Sequence, residues 1–338
     1  MPTLGLNGKV TLLDIAKAMD PGGKIASVAE LLNQSNEILT DMPWYEGNMP
    51  TGHKASIRTG LPVAIWRQMY RGVPPSKSNR ALVEDATGML EARSEVDVDI
   101  AALNGNTSEF RLSEGRAFVE AMNQTMAETT FYGNTATNPE RFTGLAPRYS
   151  TISGATNAQN IIDAGGTGSD NCSIWLVVWG KETVHGIYPK GSTAGLSHKD
   201  LGEIDAFDDN QNRYRALADH WQWKCGLHVK DWRYIVRIAN IDTSNLVTET
   251  GAADLIKLMV RALARIPFPG MGQAVFYANR TVKEMLSIQA LNKSQNALSV
   301  TDALRQFGGV EAAVPELKFL GYPVRTVDRL LTTEARVV

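Results

Sequence analysis

Residues 47–83 read GNMPTGHKASIRTGLPVAIWRQMYRGVPPSKSNRALV, and residues 84–109 read EDATGMLEARSEVDVDIAALNGNTSE. The first stretch has no acid and carries six basic residues, namely Lys54, Arg58, Arg67, Arg71, Lys77 and Arg80. The second has one base, Arg93, and seven acids, namely Glu84, Asp85, Glu91, Glu95, Asp97, Asp99 and Glu109. Because the whole chain has a net charge of only -2, adjacent stretches of opposite sign favour a head-to-tail contact between copies of one molecule.

The basic stretch has the pattern of a long two-stranded hairpin. Strand-forming residues at 54–59 and 63–70 are interrupted by recurrent Gly and Pro, which is typical of strands joined by turns. An isolated hairpin is only marginally stable in water, so this one must lie on another surface. Its open edges are also templates for pairing with another chain.

The acidic stretch alternates at 91–100, which predicts a half-buried strand. Its two valines, Val96 and Val98, share one face, and Glu95, Asp97 and Asp99 share the other. These carboxylates also raise the question of a cation site. No His or Gly turn lies among them, so a solvated or partner-facing strand edge is the preferred interpretation.

Composition excludes several classes of protein. With 338 residues and 43% hydrophobic residues, the chain buries a sizeable core and is expected to form more than one lobe. The near balance of charge argues against a nucleic-acid condenser or a membrane-surface binder. The first residues show no secretory signal, and the longest apolar run, 174–179, is too short to span a bilayer. We therefore expect a soluble protein made in cytoplasm. Its two cysteines, Cys172 and Cys225, do not resemble a disulfide framework or a paired-thiol redox motif.

Periodicity predicts a mixture of helices and strands. The longest helix is predicted at 108–131, roughly 36 Å long, with Phe118, Met122 and Met126 facing a core and Gly115 marking a possible bend or start. Further helices are predicted at 11–19, 24–39, 253–266 and 280–291, and strands at 173–179, 184–188 and 273–278.

A Trp-rich hairpin is predicted from 213–224 and 227–239, with Trp221, Trp223 and Trp232 anchoring a sheet face. A base-stacking platform is the alternative role for these rings. Near the end, 317–324 reads as strand, tight turn, strand. We expect these last strands to return beside the long helix, which makes the segment after a boundary near residue 147 an insertion.

No constellation of catalytic residues is visible. The chain has neither a phosphate-binding loop nor a nucleophile elbow. His220, Cys225 and His228 are the best candidates for zinc, but a fourth ligand is missing and the predicted hairpin puts the two histidines on opposite strands. Asp205, Asp208 and Asp209 are interpreted as a solvated acidic loop. Nothing combines a nucleophile, a base and an orienting group, so we predict no catalytic residue, metal or cofactor.

Residues 42–149 resemble the major capsid proteins of short-tailed double-stranded DNA bacteriophages. The resemblance is carried by GN at 47–48, PTGH at 50–53, RTGLP at 58–62, PSKS at 75–78, EVD at 95–97, LNGN at 103–106, FYGN at 131–134, PE at 139–140 and GLAPRY at 144–149. After residue 150 it rests on the Trp-rich segment, VRIANI at 236–241 and FLGYPV at 319–324.

The resemblance implies an α+β protein with the Hong Kong 97-like (Johnson) phage capsid fold. Its parts are an N-terminal arm, an extended hairpin called the E-loop, a peripheral domain with a long spine helix, and an axial domain. On this chain they correspond to 1–43 for the arm, 44–90 for the E-loop, 91–147 with 310–338 for the peripheral domain, and 148–309 for the axial domain.

The function that this resemblance implies is structural. Copies of the chain are expected to assemble into hexamers and pentamers of an icosahedral virion shell around double-stranded DNA, with portal and scaffolding proteins and a possible cement protein as further partners. We expect Lys54, Arg58, Arg67, Arg71, Lys77 and Arg80 to face Glu91, Glu95, Asp97 and Asp99 of another copy. The alternatives are a nucleic-acid-binding protein that uses the basic 47–83 arm and an enzyme in the 150–310 lobe.

Some relatives link the E-loop covalently to a neighbour through a Lys–Asn isopeptide bond. Lys54 and Lys77 are the lysines of this hairpin. No motif identifies an Asn partner or a catalytic Glu, so the expectation is non-covalent locking.

Overall fold

The structure, a computed structural model, describes residues 34, 36–102, 107–208, 210–292, 298–307 and 310–338. The chain forms two compact units. The first unit comprises Met1–Gln34, Met89–Met126 and Gly195–Lys224, and the second unit comprises Ser35–Gly88, Ala127–Ala194 and Cys225–Val338. The helices predicted at 11–19 and over most of 24–39 lie outside the described residues.

The helices are α1 (Ile38–Asp41), α2 (Val98–Ala102), α3 (Thr107–Tyr132), α4 (Thr243–Thr248), α5 (Leu255–Arg265) and α6 (Arg280–Asn292). The strands are β1 (Trp44–Glu46), β2 (Gly52–Gly60), β3 (Asn79–Asp97), β4 (Ile161–Asp163), β5 (Asn171–Trp179), β6 (Val184–Tyr188), β7 (Leu196–Phe207), β8 (Arg213–Val229), β9 (Ile235–Asp242), β10 (Gln273–Ala278), β11 (Leu298–Phe307), β12 (Val310–Phe319) and β13 (Tyr322–Thr326). Short 3₁₀ turns lie at Ala146–Tyr149, Thr156–Asn160, Trp232–Tyr234 and Pro269–Met271.

The second unit is built around β5, all of whose residues are buried. β5 pairs antiparallel with β9 on one side and with β10 on the other. A continuous apolar run such as 174–179 is typical of a strand covered on both faces. The core around it includes residues of α5 and α6, such as Met259 and Leu286. The strands predicted at 173–179, 184–188 and 273–278 are confirmed.

Both predicted helices of this unit are confirmed. α5 begins at a side-chain cap, because Asp254 accepts a hydrogen bond from the Lys257 backbone N–H at 3.3 Å, and its apolar positions face the core. It ends just before Pro267, which cannot continue a helix. α6 begins after Asn279, whose side-chain oxygen accepts from the Thr281 backbone N–H at 3.1 Å.

The strand–turn–strand predicted at 317–324 is confirmed, with Leu320 and Gly321 at positive φ in the turn. Its expected placement is wrong in one respect. β13 pairs in parallel with β10, so the last strands extend the sheet of the middle segment. The buried side chains of Phe319 and Val324 explain this, because both join the same apolar core as Phe276.

A buried ionic network fixes the end of the chain to this sheet. The Arg237 guanidinium donates to Glu334 at 2.9 Å, to the Ser173 hydroxyl at 3.1 Å and to the Tyr149 carbonyl at 2.8 Å. The Tyr132 hydroxyl also donates to Glu334, at 2.5 Å. Because the pair is buried, removing either charge leaves the other without compensation.

In the first unit, α3 confirms the predicted long helix and runs without interruption through Gly115. Gly115 has a packing role, since a Cβ there would lie 3.3 Å from the Trp221 ring. One turn further along, the Phe118 ring stacks on Trp221 with centroids 5.2 Å apart. Met122 and Met126 are buried, as their spacing predicts.

Two strand predictions in this unit need correction. The strand predicted at 91–100 ends at Asp97, and α2 begins at Val98. The Asp97 side chain accepts from the backbone N–H of Asp99 at 2.9 Å, which stabilises the first turn of a helix. The buried residues Val96 and Phe110 then pack in one small cluster with Ala101.

The predicted Trp-rich hairpin is also different. Residues 213–229 form one continuous strand, β8, and within the first unit its partner is β7, which precedes it. Residues 227–239 do not return along it, because Gly226 lies inside β8 instead of forming a turn. A Cβ on Gly226 would lie 2.8 Å from the Ala86 carbonyl oxygen, so this glycine permits close strand packing.

Candidate assembly surface

The basic stretch forms a hairpin whose stem is β2 and residues 79–86 of β3. The register runs from Gly52 opposite Ala86 to Gly60 opposite Asn79, with an irregularity after Arg58. The strand predicted at 54–59 is confirmed. The strand predicted at 63–70 is wrong, because the return strand begins only at Asn79. Proline cannot donate to a strand ladder, and the intervening residues include Pro62, Pro74 and Pro75.

The hairpin tip, residues 61–78, presents apolar side chains to solvent. Every residue from 61 to 77 is exposed, and the side chains of Trp66 and Tyr70 have relative exposures of 101% and 102%. Leu61, Val63 and Met69 are also largely exposed. Sequence reasoning identified the charges of this tip but not its apolar residues, because apolar strand-formers predict burial within the same chain.

The six predicted basic contact residues fall into two groups. Lys54 is engaged within the stem, where its Nζ lies 3.2 Å from Glu84 on the opposite strand. Arg58, Arg67, Arg71, Lys77 and Arg80 are exposed, and none has an acidic partner among the described residues. The Arg67 guanidinium instead donates to the Arg71 carbonyl at 3.0 Å.

Two of these arginines face each other across the stem. Arg58 and Arg80 are register partners. Like charges placed directly opposite on neighbouring strands destabilise the pair. The hairpin therefore holds an uncompensated positive pair that an external carboxylate would neutralise.

The predicted acidic contact residues lie along the second half of β3 and the start of α2. Glu91 accepts a hydrogen bond from Gln222 and lies 3.4 Å from His220. The Gln222 hydrogen bond, and then that of His220, hold the pKa of Glu91 below its ordinary value. Glu95 pairs with Arg93 at 3.1 Å, and Asp99 is exposed.

Asp85 differs from the other acids of the segment because it is buried. It accepts hydrogen bonds from Arg148 at 2.6 Å, from His228 at 2.7 Å and from the Val229 backbone N–H at 3.1 Å. Burial raises the pKa of this carboxyl, but the His228 hydrogen bond and the Arg148 charge outweigh it and lower the pKa overall. Asp85 therefore anchors the stem. Gly52 lies beside it, where a Cβ would approach the Asp85 carbonyl oxygen to 2.2 Å.

The zinc candidates do not form a site. His220 and His228 lie on one strand, β8, and not on opposite strands as expected. His228 is bonded to Asp85, and Cys225 is buried with its pKa raised to about 12 by burial. Within the described part of the chain, no group of three or more His, Cys, Asp or Glu residues has an arrangement that would hold a metal ion.

The predicted acidic loop is structured by its own hydrogen bonds. Asp208 accepts from the backbone N–H groups of Asn210 and Asn212 at 2.9 Å and 2.7 Å. Asp205 lies 3.7 Å from Arg213, and Asp209 lies outside the described residues. Among the helices described, none is both long and apolar enough to cross a membrane.

The solved structures that match this chain include one from bacteriophage Epsilon15. A chain in the solved structure of bacteriophage Epsilon15 is 35% identical over 100% of this chain and 99% of its own length, with a TM-score of 0.75. The capsid of the native GTA particle matches 66% of this chain and 96% of its own at 9% identity, with a TM-score of 0.47. Microbacterium phage Oxtober96 matches 68% and 98% at 11% identity, with a TM-score of 0.45. No curated protein sequence matches the chain.

The family model described as major capsid protein GP7 matches residues 20–338. This match and the Epsilon15 structure confirm the α+β, Hong Kong 97-like (Johnson) capsid fold that the sequence implied. The family is one of structural proteins of the virion and not an enzyme family. The chain therefore belongs to the GP7 family of major capsid proteins, which form the shells of phage capsids.

Proposed function

We propose that copies of this chain form hexamers and pentamers of an icosahedral shell around double-stranded DNA, and that the hairpin of one copy lies on the next. The observation that carries this proposal is the tip, whose apolar side chains are exposed and whose basic side chains have no acidic partner within the described chain. Contiguous exposed apolar surface marks interaction sites in soluble proteins. A contact between two different surfaces of identical subunits closes into a ring when the rotation permits.

The proposed receiving surface is the acidic segment that includes Glu91, Glu95, Asp97 and Asp99, together with the adjacent part of α3. Surface ion pairs contribute only about 0–1 kcal/mol each. We infer that the charges set orientation and that the apolar tip supplies most of the contact energy. Non-covalent locking is consistent with Lys54, whose amine already pairs with Glu84 in its own stem.

We assign the parts of the chain accordingly. Residues 1–43 are the N-terminal arm, 44–90 the E-loop and 91–147 the peripheral domain. Residues 148–309 are the axial domain, whose sheet the last strands of 310–338 extend. A portal protein and a scaffolding protein are proposed partners, and a cement protein is a further candidate. Packaged DNA would lie nearby without sequence-specific binding.

The test removes the tip and keeps the stem. Gly60 and Asn79 are register partners, so an Asn-Gly dipeptide can replace residues 61–78 and close a two-residue hairpin. We expect this variant to keep the thermal unfolding of the wild-type subunit and to form no closed particles by electron microscopy. Closed particles of wild-type size from the shortened chain would refute the proposal.

Nucleic-acid binding by the same hairpin is the second candidate, favoured by the uncompensated Arg58 and Arg80 and by the exposed rings of Trp66 and Tyr70. Phosphate contacts would make binding by the unassembled subunit fall steeply with salt. A gel shift across salt concentrations separates the two functions. A salt-sensitive shift that is lost in the double variant Arg58→Ser/Arg80→Ser would favour nucleic-acid binding, whereas the shell function predicts no such shift.

A further inference from the structure

Three histidines meet where the hairpin stem packs within the second unit. His53 lies on β2, His185 on β6 and His228 on β8. Their ring centroids are 4.5 Å apart for His53 and His228, 5.1 Å for His185 and His228, and 6.1 Å for His53 and His185. The cluster therefore joins the stem to two strands that are distant in sequence.

The surroundings of the cluster supply little negative charge. His228 is fully buried and donates from Nδ1 to Asp85 of the stem at 2.7 Å. Arg148 already compensates that carboxylate at 2.6 Å. The groups that face the imidazoles from the neighbouring elements are Asp85 of β3, Arg148 of the 3₁₀ turn, Tyr45 of β1, and Lys230 after β8, which pairs with Glu182.

Two ring nitrogens of the cluster have no hydrogen-bond partner among the described residues. They are Nδ1 of His53 and Nε2 of His228, and both are buried. Protonating Nδ1 of His53 would create a buried N–H without an acceptor, and would place a positive charge beside the other rings. Burying an unpaired charge or an unsatisfied donor is unfavourable.

We propose that His53 and His185, which pack around the buried ring of His228, form a pH-sensitive latch. The latch holds the hairpin stem on β6 and β8 when these two rings are neutral and releases it when they are protonated. Burial is the main cause that lowers the pKa of His185 to about 4 and lowers that of His53 as well. A released ring titrates near its ordinary pKa of about 6.5. Between those values the released state binds more protons, so acid favours release and the latch is fully closed above about pH 6.5.

The test is hydrogen exchange of the full-length, unassembled subunit between pH 7.5 and pH 4.5, with rates corrected for intrinsic exchange. We expect protection of 52–57 and 81–87 to fall by between about 10-fold and about 100-fold, as the pKa difference of His185 implies, while β5 stays protected. The double variant His53→Gln/His185→Gln should lose this fall. The matched control His198→Gln, a histidine of the first unit, should behave as wild type.

Two results would overturn the latch. One is stem protection that is unchanged down to pH 4.5 in the wild type. The other is an unchanged fall in the double variant. If the double variant does not fold, the single variant His185→Gln provides the test. Its stem protection should fall less at low pH than that of the wild type, and an equal fall would contradict the proposal.

Discussion

Replacing Trp66 with alanine should weaken assembly strongly and change the stability of the isolated subunit very little. The indole is wholly exposed in the isolated chain, so its removal should change the free energy of subunit unfolding by no more than about 0.5 kcal/mol. In the shell, an aromatic side chain of this kind buries about 150–250 Å². At about 25 cal/mol per Å², full burial contributes about 4–6 kcal/mol, which is an upper bound because association has its own entropic cost.

If Trp66→Ala removes half of that contact energy, the critical concentration for assembly should rise on the order of 100-fold. The assay is light scattering against subunit concentration, with particles counted by electron microscopy. Trp66→Phe is the matched control, since it keeps most of the apolar area and should assemble at a concentration within about 10-fold of wild type. Wild-type assembly by Trp66→Ala would refute the argument that the tip is buried between copies.

Three other predictions concern the stem, the buried network and the thiols. Arg80→Ser should stabilise the isolated subunit by roughly a few tenths of a kcal/mol, because it removes a like-charge pair, and it should weaken assembly. Denaturant titration measures the subunit stability and light scattering measures assembly. A lower free energy of subunit unfolding would contradict this prediction. Glu334→Ala should lower the free energy of unfolding by about 3–5 kcal/mol. The exposed control Glu140→Ala should lower it by no more than about 0.5 kcal/mol. If denaturant titration gives the two variants the same free energy of unfolding, the buried network does not stabilise the subunit. Burial raises the pKa of Cys172 and of Cys225 to about 12, so at pH 8 neither thiol should react with a thiol reagent until the chain unfolds, and rapid labelling of the native subunit would show that they are accessible.

The sequence predicted the elements whose pattern is local. α3 and α5 have helical spacing and clear terminating residues, and β5 is a continuous apolar run, so each could be placed within a few residues. The partner of β8 could not be predicted in this way. Gly226 has the sequence signature of a turn, but its lack of a side chain serves a close contact with Ala86, which lies far away in the chain.

The candidate surface was predictable in its charges and not in its contacts. Asp85 stands among acids that face solvent, and only the fold shows that it is buried between Arg148 and His228. For Trp66, the sequence wrongly suggests burial within its own chain. A strand-like apolar residue predicts burial, but sequence alone does not say whether its own chain or another copy covers it.

The most direct test of the proposed assembly is a density map of the assembled particle that resolves the hairpin tip. We predict that residues 61–78 lie on a neighbouring subunit, with Trp66 buried and with Arg58 and Arg80 near carboxylates of the 91–99 segment. A tip that folds back on its own subunit, or that projects into solvent away from every neighbour, would contradict it.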